Sequence, residues 1–149
     1  MSLGTGAAIR TGITRALILF VLLLPVSGVA EEVSLYDYEG QAVAYIDTDD
    51  ELNIYLWEGK PVAYLDGSSV YGFNGKHLGW FKDGIIWDSR GYVVGFVEGA
   101  VNMLTRLERL KGLQQLTPLK SLQQFEPFEP MFVNQWSRLP LEYFLSMGR

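Results

Sequence analysis

Short apolar runs flanking glycine turns recur four times in the first two thirds of the chain. The copies align on four glycines, Gly40, Gly59, Gly75 and Gly91. In every copy an aliphatic residue stands five before the glycine and an aromatic four before it. A small residue stands four after it, and another aromatic five after it. Agreement of these positions across four copies indicates an internal repeat.

Each repeat predicts a β-hairpin, because two strand-like runs flank a residue–glycine pair. Pairs such as Asn74-Gly75 fit two-residue turns in which the glycine takes a positive φ. Asp66-Gly67 and Asp83-Gly84 predict tight turns between hairpins, and aspartates recur in or beside the turns. The repeats therefore predict an all-β chain with eight antiparallel strands.

Two-residue alternation gives each hairpin an aliphatic face and an aromatic face. In the second hairpin, Ile54 and Ala63 lie on the aliphatic face, and Tyr55, Trp57 and Val62 on the aromatic face. Four such hairpins are expected to close into a shallow barrel, since closure removes open strand edges. Alternation alone does not decide which face lines the axis. If the small residues do, the aromatics lie outside and need cover.

Two segments resemble the four-fold beta flower family. One comprises residues 71–84 (YGFNGKHLGWFKDG) and 88–96 (DSRGYVVGF), and the other is the tail 130–145 (PMFVNQWSRLPLEYFL). The resemblance implies four hairpins arranged as petals around a pseudo-four-fold axis, and it implies no activity. Barrels of this kind are also similar to tubby-like, lipid-associated domains, at the level of the fold alone.

After the repeats, an apolar residue recurs at every third position from Val101 to Met131. We expect a helix over residues 101–111, ended by Gly112. From Leu113 onward the period favours an extended chain, because polyproline II has three residues per turn.

A nine-residue duplication lies within that segment, where residues 113–121 are echoed by residues 122–130. Such regularity favours a proline-bearing strap lying across the barrel aromatics, and the alternative is a flexible tail. Residues 136–145 fit a short docking helix with Pro140 near its start.

The N-terminus has the three parts of an export signal. Arg10 and Arg15 flank the apolar run 16–24, Pro25 breaks it, and small residues lead to Ala30. The nine-residue run is short for a spanning helix, which needs about 20 residues. We expect cleavage near Ala30 and a periplasmic or secreted product; the alternative is an uncleaved N-terminal anchor. The expected divisions are 1–30 (signal peptide), 31–100 (four-hairpin domain) and 101–149 (helix plus strap packing on that domain).

Charge is unevenly distributed along the expected mature chain. Residues 31–100 carry 13 acids and 4 bases, whereas residues 101–149 carry 4 acids and 6 bases. This contrast favours packing of the C-terminal part on the β part. The acidic β part argues against nucleic acid as a partner, and weakly against anionic membranes. The absence of cysteine excludes disulfides and thiolate metal sites.

Candidate chemistry is sparse. His77, the single histidine, lies close in sequence to Ser68 and Ser69 but without triad spacing, so we interpret it as a partly exposed structural residue. The acidic loop 47–51 lacks the spacing of an EF-hand, which favours a solvated connection over a calcium site. We predict no enzymatic activity, no metal and no cofactor.

Trp57, Trp80, Trp87 and His77 are the candidate ligand-contacting residues, since aromatic rings stack on sugars or meet lipid. Packing is the competing interpretation, and Trp57 is the aromatic expected to be most exposed. We expect a non-catalytic binding or structural module. Its ligand (a protein, glycan or lipid) would meet the axial mouth or the aromatic surface. The alternative is a peripheral membrane or lipid-binding domain.

Overall fold

A computed structural model describes residues 31–149, so the expected signal peptide lies outside the described residues. The strands are β1 (Glu32–Tyr36), β2 (Ala42–Asp47), β3 (Asn53–Leu56), β4 (Pro61–Asp66), β5 (Ser69–Gly72), β6 (His77–Lys82), β7 (Ile85–Asp88) and β8 (Val93–Phe96). They close in chain order into one antiparallel barrel, with β8 returning to β1. A short helix, α1 (Leu141–Ser146), follows near the C-terminus. The all-β barrel of four hairpins and the short helix after Pro140 are confirmed.

The turn glycines have positive φ, as expected, but they close three-residue loops rather than two-residue turns. The Gly59 N–H donates to the Leu56 carbonyl, and the Leu56 N–H donates to the Lys60 carbonyl. Gly59 is the last residue of this loop, and its φ of 97° places it in the left-handed region of backbone conformation. Asp37 and Asp88 act as turn formers, since one carboxylate oxygen of each accepts two backbone N–H groups.

Every hairpin also contains a bulge at the same repeat position. In the second hairpin Ile54 pairs with Ala63 and Tyr55 with Pro61, which leaves Val62 as the extra residue. The other three hairpins shift register at the equivalent aromatic. Because a bulge interrupts the alternation, Val62 packs in the aliphatic core. Its expected place on the aromatic face was wrong.

The aliphatic face lines the barrel interior, and α1 packs into it. Leu141, Phe144 and Leu145 of α1 are almost completely buried in the same cluster as the inward strand residues. The small-residue column makes room for them: a Cβ on Gly79 would lie 2.9 Å from the Phe144 ring, and one on Gly95 2.7 Å from a Leu141 methyl. The barrel interior is therefore occupied by the chain's own helix.

Residues 103–133, here called the strap, contain neither helix nor strand. The expected helix over residues 101–111 was wrong, because an apolar period of three does not match 3.6 residues per turn. The barrel turns supply hydrogen bonds that a helix would make internally. One example is the Arg106 N–H, which donates to the Gly40 carbonyl at 2.7 Å.

Candidate functional site

The strap passes the four hairpin turns in order, with a repeat of nine residues. The carbonyls of Leu104, Leu113, Leu122 and Met131 lie against Gly40, Gly59, Gly75 and Gly91 respectively. The strap residue two positions after each of these four donates its N–H to the carbonyl of the same glycine, at 2.7–2.9 Å. A Cβ on Gly59 would lie 1.9 Å from the Leu113 oxygen. The turn glycines therefore leave room for the strap as well as closing the turns. The nine-residue duplication corresponds to the length of strap between one hairpin turn and the next.

Carboxylates of the strap accept hydrogen bonds from the barrel wall. Glu108 Oε1 accepts from Ser34 Oγ at 2.5 Å and from Tyr36 Oη at 2.8 Å, and Glu126 accepts from Trp80 Nε1 at 3.0 Å. The Ser34 hydrogen bond is the main cause that lowers the pKa of Glu108. Burial, then the contact with Glu108, raises the pKa of Tyr36 to about 12. At neutral pH Glu108 is therefore ionised and Tyr36 is protonated, as the hydrogen bond between them requires.

Lysines of the strap lie over barrel aromatics. Lys111 Nζ is 4.5 Å from the ring centre of Tyr45 and 5.0 Å from that of Trp57, and it forms an ion pair with Glu32. Lys120 repeats the arrangement nine residues later, over Tyr64 at 4.4 Å. Cation–π contacts with acidic neighbours explain how a basic strap fits an acidic, aromatic barrel.

The three candidate tryptophans lie under the strap. Trp57 is 5% exposed and donates to the Arg109 carbonyl at 3.1 Å, so its expected exposure was wrong. Trp80 is buried against Glu126. The Trp87 ring centre lies 4.9 Å from that of Phe132, and Trp87 Nε1 has no partner within residues 31–149. The structure thus surrounds all three with the chain's own residues.

His77 is buried rather than partly exposed. Its Nε2 lies 3.0 Å from Ser69 Oγ, and its ring packs edge-on against Tyr71 and Trp80. Burial lowers the pKa of His77, with Glu126 opposing weakly, so the ring is neutral at neutral pH. This enclosed pair offers no surface to a substrate.

Two carboxylates of the acidic loop accept hydrogen bonds from side chains, within the loop region for Asp50 and from the strap for Asp47. Asp50 Oδ2 accepts from Tyr55 Oη at 2.5 Å and from Asn53 at 3.1 Å, and Asp47 Oδ2 accepts from Gln114 at 2.8 Å. The Tyr55 hydrogen bond is the largest cause that lowers the pKa of Asp50. Residues 31–149 contain no group of three or more His, Asp or Glu side chains placed to hold a metal ion.

The outward edge of the strap exposes the apolar residues that recur at every third position. Ten large side chains on it, called the apolar row, are 83–102% exposed. They are Leu104, Leu107, Leu110, Leu113, Leu116, Leu119, Leu122, Phe125, Phe128 and Met131. The three-residue period was visible in the sequence, but the period alone did not predict which side of the strap faces the barrel. In the structure the polar side faces the barrel.

A groove of about 670 Å³ opens where the strap runs between the second and third turns. Phe73 and Pro61 form part of its barrel side, and Leu116 and Leu119 of the apolar row form part of its strap side. The middle of the row therefore borders a concave surface.

Four bulged hairpins closed into a barrel, filled by a helix and wrapped by a nine-residue-repeat strap, define a pseudo-four-fold all-β protein. The family described as 4-fold beta flower protein matches residues 33–145, and the chain belongs to it. Comparisons with curated proteins and with solved structures return no match. Within residues 31–149, no helix has the length and apolar character needed to cross a bilayer.

Proposed function

We propose that the protein is an exported, non-catalytic binding or structural module whose interaction surface is the apolar row. The observation that carries the proposal is the near-complete exposure of the ten side chains. Monomeric soluble proteins seldom expose an apolar patch above about 300–600 Å², and larger patches mark interaction sites. Burial of Trp57, Trp80 and His77 supports a role in binding rather than catalysis.

The test is dye binding by dilute protein. Wild-type protein should enhance the fluorescence of anilinonaphthalene sulfonate, and the variant Leu113→Ser/Leu116→Ser/Leu119→Ser should lose several-fold of that enhancement. Tyr143→Ser is the matched control, because Tyr143 is exposed but lies on α1, outside the row. Equal dye binding by the triple variant and the wild type would reject the row as the interaction surface.

A peripheral membrane or lipid-binding role is the second candidate, favoured by the same exposed leucines and phenylalanines. Vesicles of phosphatidylcholine should then co-sediment the wild type and not the triple variant. Sedimentation of both proteins to the same extent would argue against lipid contact through the row.

The proposal that the protein is exported rests on the export-signal pattern in residues 1–30. The exported product should have a mass that corresponds to a chain beginning at Glu31. Intact-protein mass spectrometry checks this, and a retained residue 1–30 segment would instead support the anchored alternative.

A further inference from the structure

We propose that a pocket beside the fourth hairpin turn binds a small sugar acid, a sugar ring that bears a carboxylate or a phosphate. The pocket has a volume of about 480 Å³ and lies between the turn, residues 88–92, and residues 135–139, which follow the strap. Small-molecule sites in proteins measure roughly 300–1,000 Å³. No member of the apolar row lines this pocket, so the inference goes beyond the proposed function of the row.

The fourth turn departs from the charge pattern of the repeat. In the first three hairpins the residue before the turn glycine is an acid or an amide: Glu39, Glu58 and Asn74. In the fourth hairpin it is Arg90, and Arg138 lines the same pocket from the segment after the strap. Two guanidinium groups therefore border one pocket at the edge of a strongly acidic barrel.

Neither guanidinium group is neutralised by an ion pair. In the described part of the chain the ion pairs join lysines to glutamates, and none includes Arg90 or Arg138. Among the described residues that line the pocket, Asp88 alone carries a carboxylate. Its oxygens accept hydrogen bonds from the backbone N–H groups of Arg90 and Tyr92 and from Ser137 Oγ. Two cations and one carboxylate leave the pocket positive, which favours an anionic ligand.

The form of the cations favours an oxyanion. A guanidinium group is planar, and its N–H donors form a fork that matches two oxygens of a carboxylate or phosphate. The guanidinium carbon of Arg90 lies 5.1 Å from the ring centre of Tyr92. That cation–π contact restricts the orientation of the group, so one arm of the site is held beside the pocket before a ligand arrives.

Trp136 supplies a wall for the body of the ligand. It is 39% exposed and lines the pocket, whereas Trp57 and Trp80 are buried. Its ring packs edge-on against Phe96, with 6.1 Å between the ring centres. A half-exposed aromatic ring offers an apolar surface to the C–H groups of a sugar ring. The neighbouring guanidinium groups would hold the acid group of the same ligand.

Backbone pairing fixes the far wall of the pocket. The Val93 N–H donates to the Gln135 carbonyl at 2.9 Å, and the Ser137 N–H donates to the Val93 carbonyl at 2.7 Å. Trp136 thereby forms a parallel bridge with Val93 of β8. Ser137 Oγ also accepts the Leu139 N–H at 3.1 Å. Because these contacts order the wall in advance, a ligand would lose little affinity to ordering it.

The experiment uses nitrogen-15-labelled protein, purified as the cell releases it, and follows the indole N–H signals of the four tryptophans by NMR. Trp136→Phe identifies the Trp136 signal. Glucuronate should move that signal, with a dissociation constant of about 1 mM for two charge-assisted contacts. Glucose, which has the same ring without the carboxylate, should leave it in place. Glucose 6-phosphate is the second arm: tighter binding than glucuronate assigns the site to phosphate, and weaker binding assigns it to carboxylate.

Charge variants test the two arginines. Arg90→Gln and Arg138→Gln should each weaken binding about tenfold. Arg106→Gln is the matched control, because it removes the same charge from an exposed arginine that does not line the pocket. It should bind glucuronate as the wild type does. Unchanged indole signals of Trp57 and Trp80 show that each variant keeps the fold.

A Trp136 signal that moves with neither acid at ~20 mM, well above the expected constant, would overturn the proposal. Movement by glucose equal to that by glucuronate would also overturn it, and so would equal weakening by Arg106→Gln. The row variant Leu113→Ser/Leu116→Ser/Leu119→Ser should bind glucuronate as the wild type does. Dye binding therefore tests the apolar row and the Trp136 signal tests the pocket, so either proposal can fail without the other.

Discussion

The C-terminal third of the chain contacts the barrel twice, in opposite ways. Inside, α1 meets an aliphatic surface with Leu141, Phe144 and Leu145, and the contact is apolar on both sides. Outside, the strap meets an aromatic surface with carboxylates, amides and the Lys111 ammonium, and turns its apolar row away. The inner contact therefore depends on shape and volume, and the outer one on charge, salt and pH.

The largest loss of stability is expected when a buried side chain of the inner contact is removed. Phe144→Ala removes a fully buried ring from the barrel interior and leaves a cavity among the small-residue strands. We expect a loss of about 3–5 kcal/mol in the free energy of unfolding, measured by urea denaturation. The adjacent Tyr143→Ala is the control and should change stability little, because Tyr143 is 60% exposed. A small loss for Phe144→Ala would mean that the barrel holds its shape without α1.

The inner contact is also sensitive to added volume. A Cβ on Gly79 would lie 2.0 Å from the Trp87 carbonyl oxygen as well as against the Phe144 ring. Gly79→Ala should therefore cost about 1–3 kcal/mol of unfolding free energy, by the same urea measurement. Ala63→Gly is the matched control at the equivalent position of the second hairpin, with an expected cost of about 0.5–1 kcal/mol. A neutral Gly79→Ala would show that α1 shifts to make room.

The inner and outer contacts also differ in how far the sequence predicted them. The hairpins were predictable because strand composition and turn glycines are local signals repeated four times. The bulge at Val62 was not, because it depends on which residue of the partner strand receives each hydrogen bond. Alternation therefore assigned Val62 to the wrong face, although it assigned Ile54 and Ala63 correctly.

The path of the strap was predictable from the sequence, but its orientation was not. Its three-residue period, its nine-residue duplication and its place over the aromatics could be inferred. Its orientation could not, because the period shows which residues share one edge but not which way that edge faces. The signal for the orientation lies in the barrel: hydroxyls and indole N–H groups such as those of Tyr36 and Trp80 need partners when covered. The strap supplies Glu108 and Glu126.

The outer contact should respond to the loss of one cation. Lys111→Met keeps much of the aliphatic stem but removes the charge over Tyr45 and Trp57 and the ion pair with Glu32. We expect about 1 kcal/mol weaker strap docking, seen as faster proteolysis within the strap. Lys76→Met is the control, since Lys76 is exposed and forms no ion pair with residues 31–149. Added salt should weaken wild-type docking more than that of Lys111→Met; equal salt sensitivity would contradict the charge argument.

The smallest expected effect is the dependence of strap docking on pH, which separates the two contacts most finely. The pKa of Glu108 is lowered from its ordinary value of 4.5 on folding, so its contribution is present above pH 4.5 and disappears as pH falls through the lowered pKa. The pKa of Tyr36 is raised from 10.0 to about 12, so its contribution is present below pH 10 and disappears as pH rises towards 12. Hydrogen exchange of the Arg106 amide, which donates to Gly40, reports docking locally.

In that measurement Glu108→Gln should flatten the acidic limb below pH 4.5 and leave an alkaline limb, because Tyr36 can still donate to the new amide oxygen. Tyr36→Phe should do the reverse and reduce the alkaline limb, part of which should remain because burial also raises the pKa values of Tyr45 and Tyr71. The lowered pKa of His77 adds a separate loss of stability that begins as pH falls below 6.5, and neither variant should change it. Buried aliphatic contacts do not titrate, so Phe144→Ala should lower stability without moving either limb. If Phe144→Ala shifted the limbs as Glu108→Gln does, the inner and outer contacts would be one coupled unit, and the distinction drawn between them would fail.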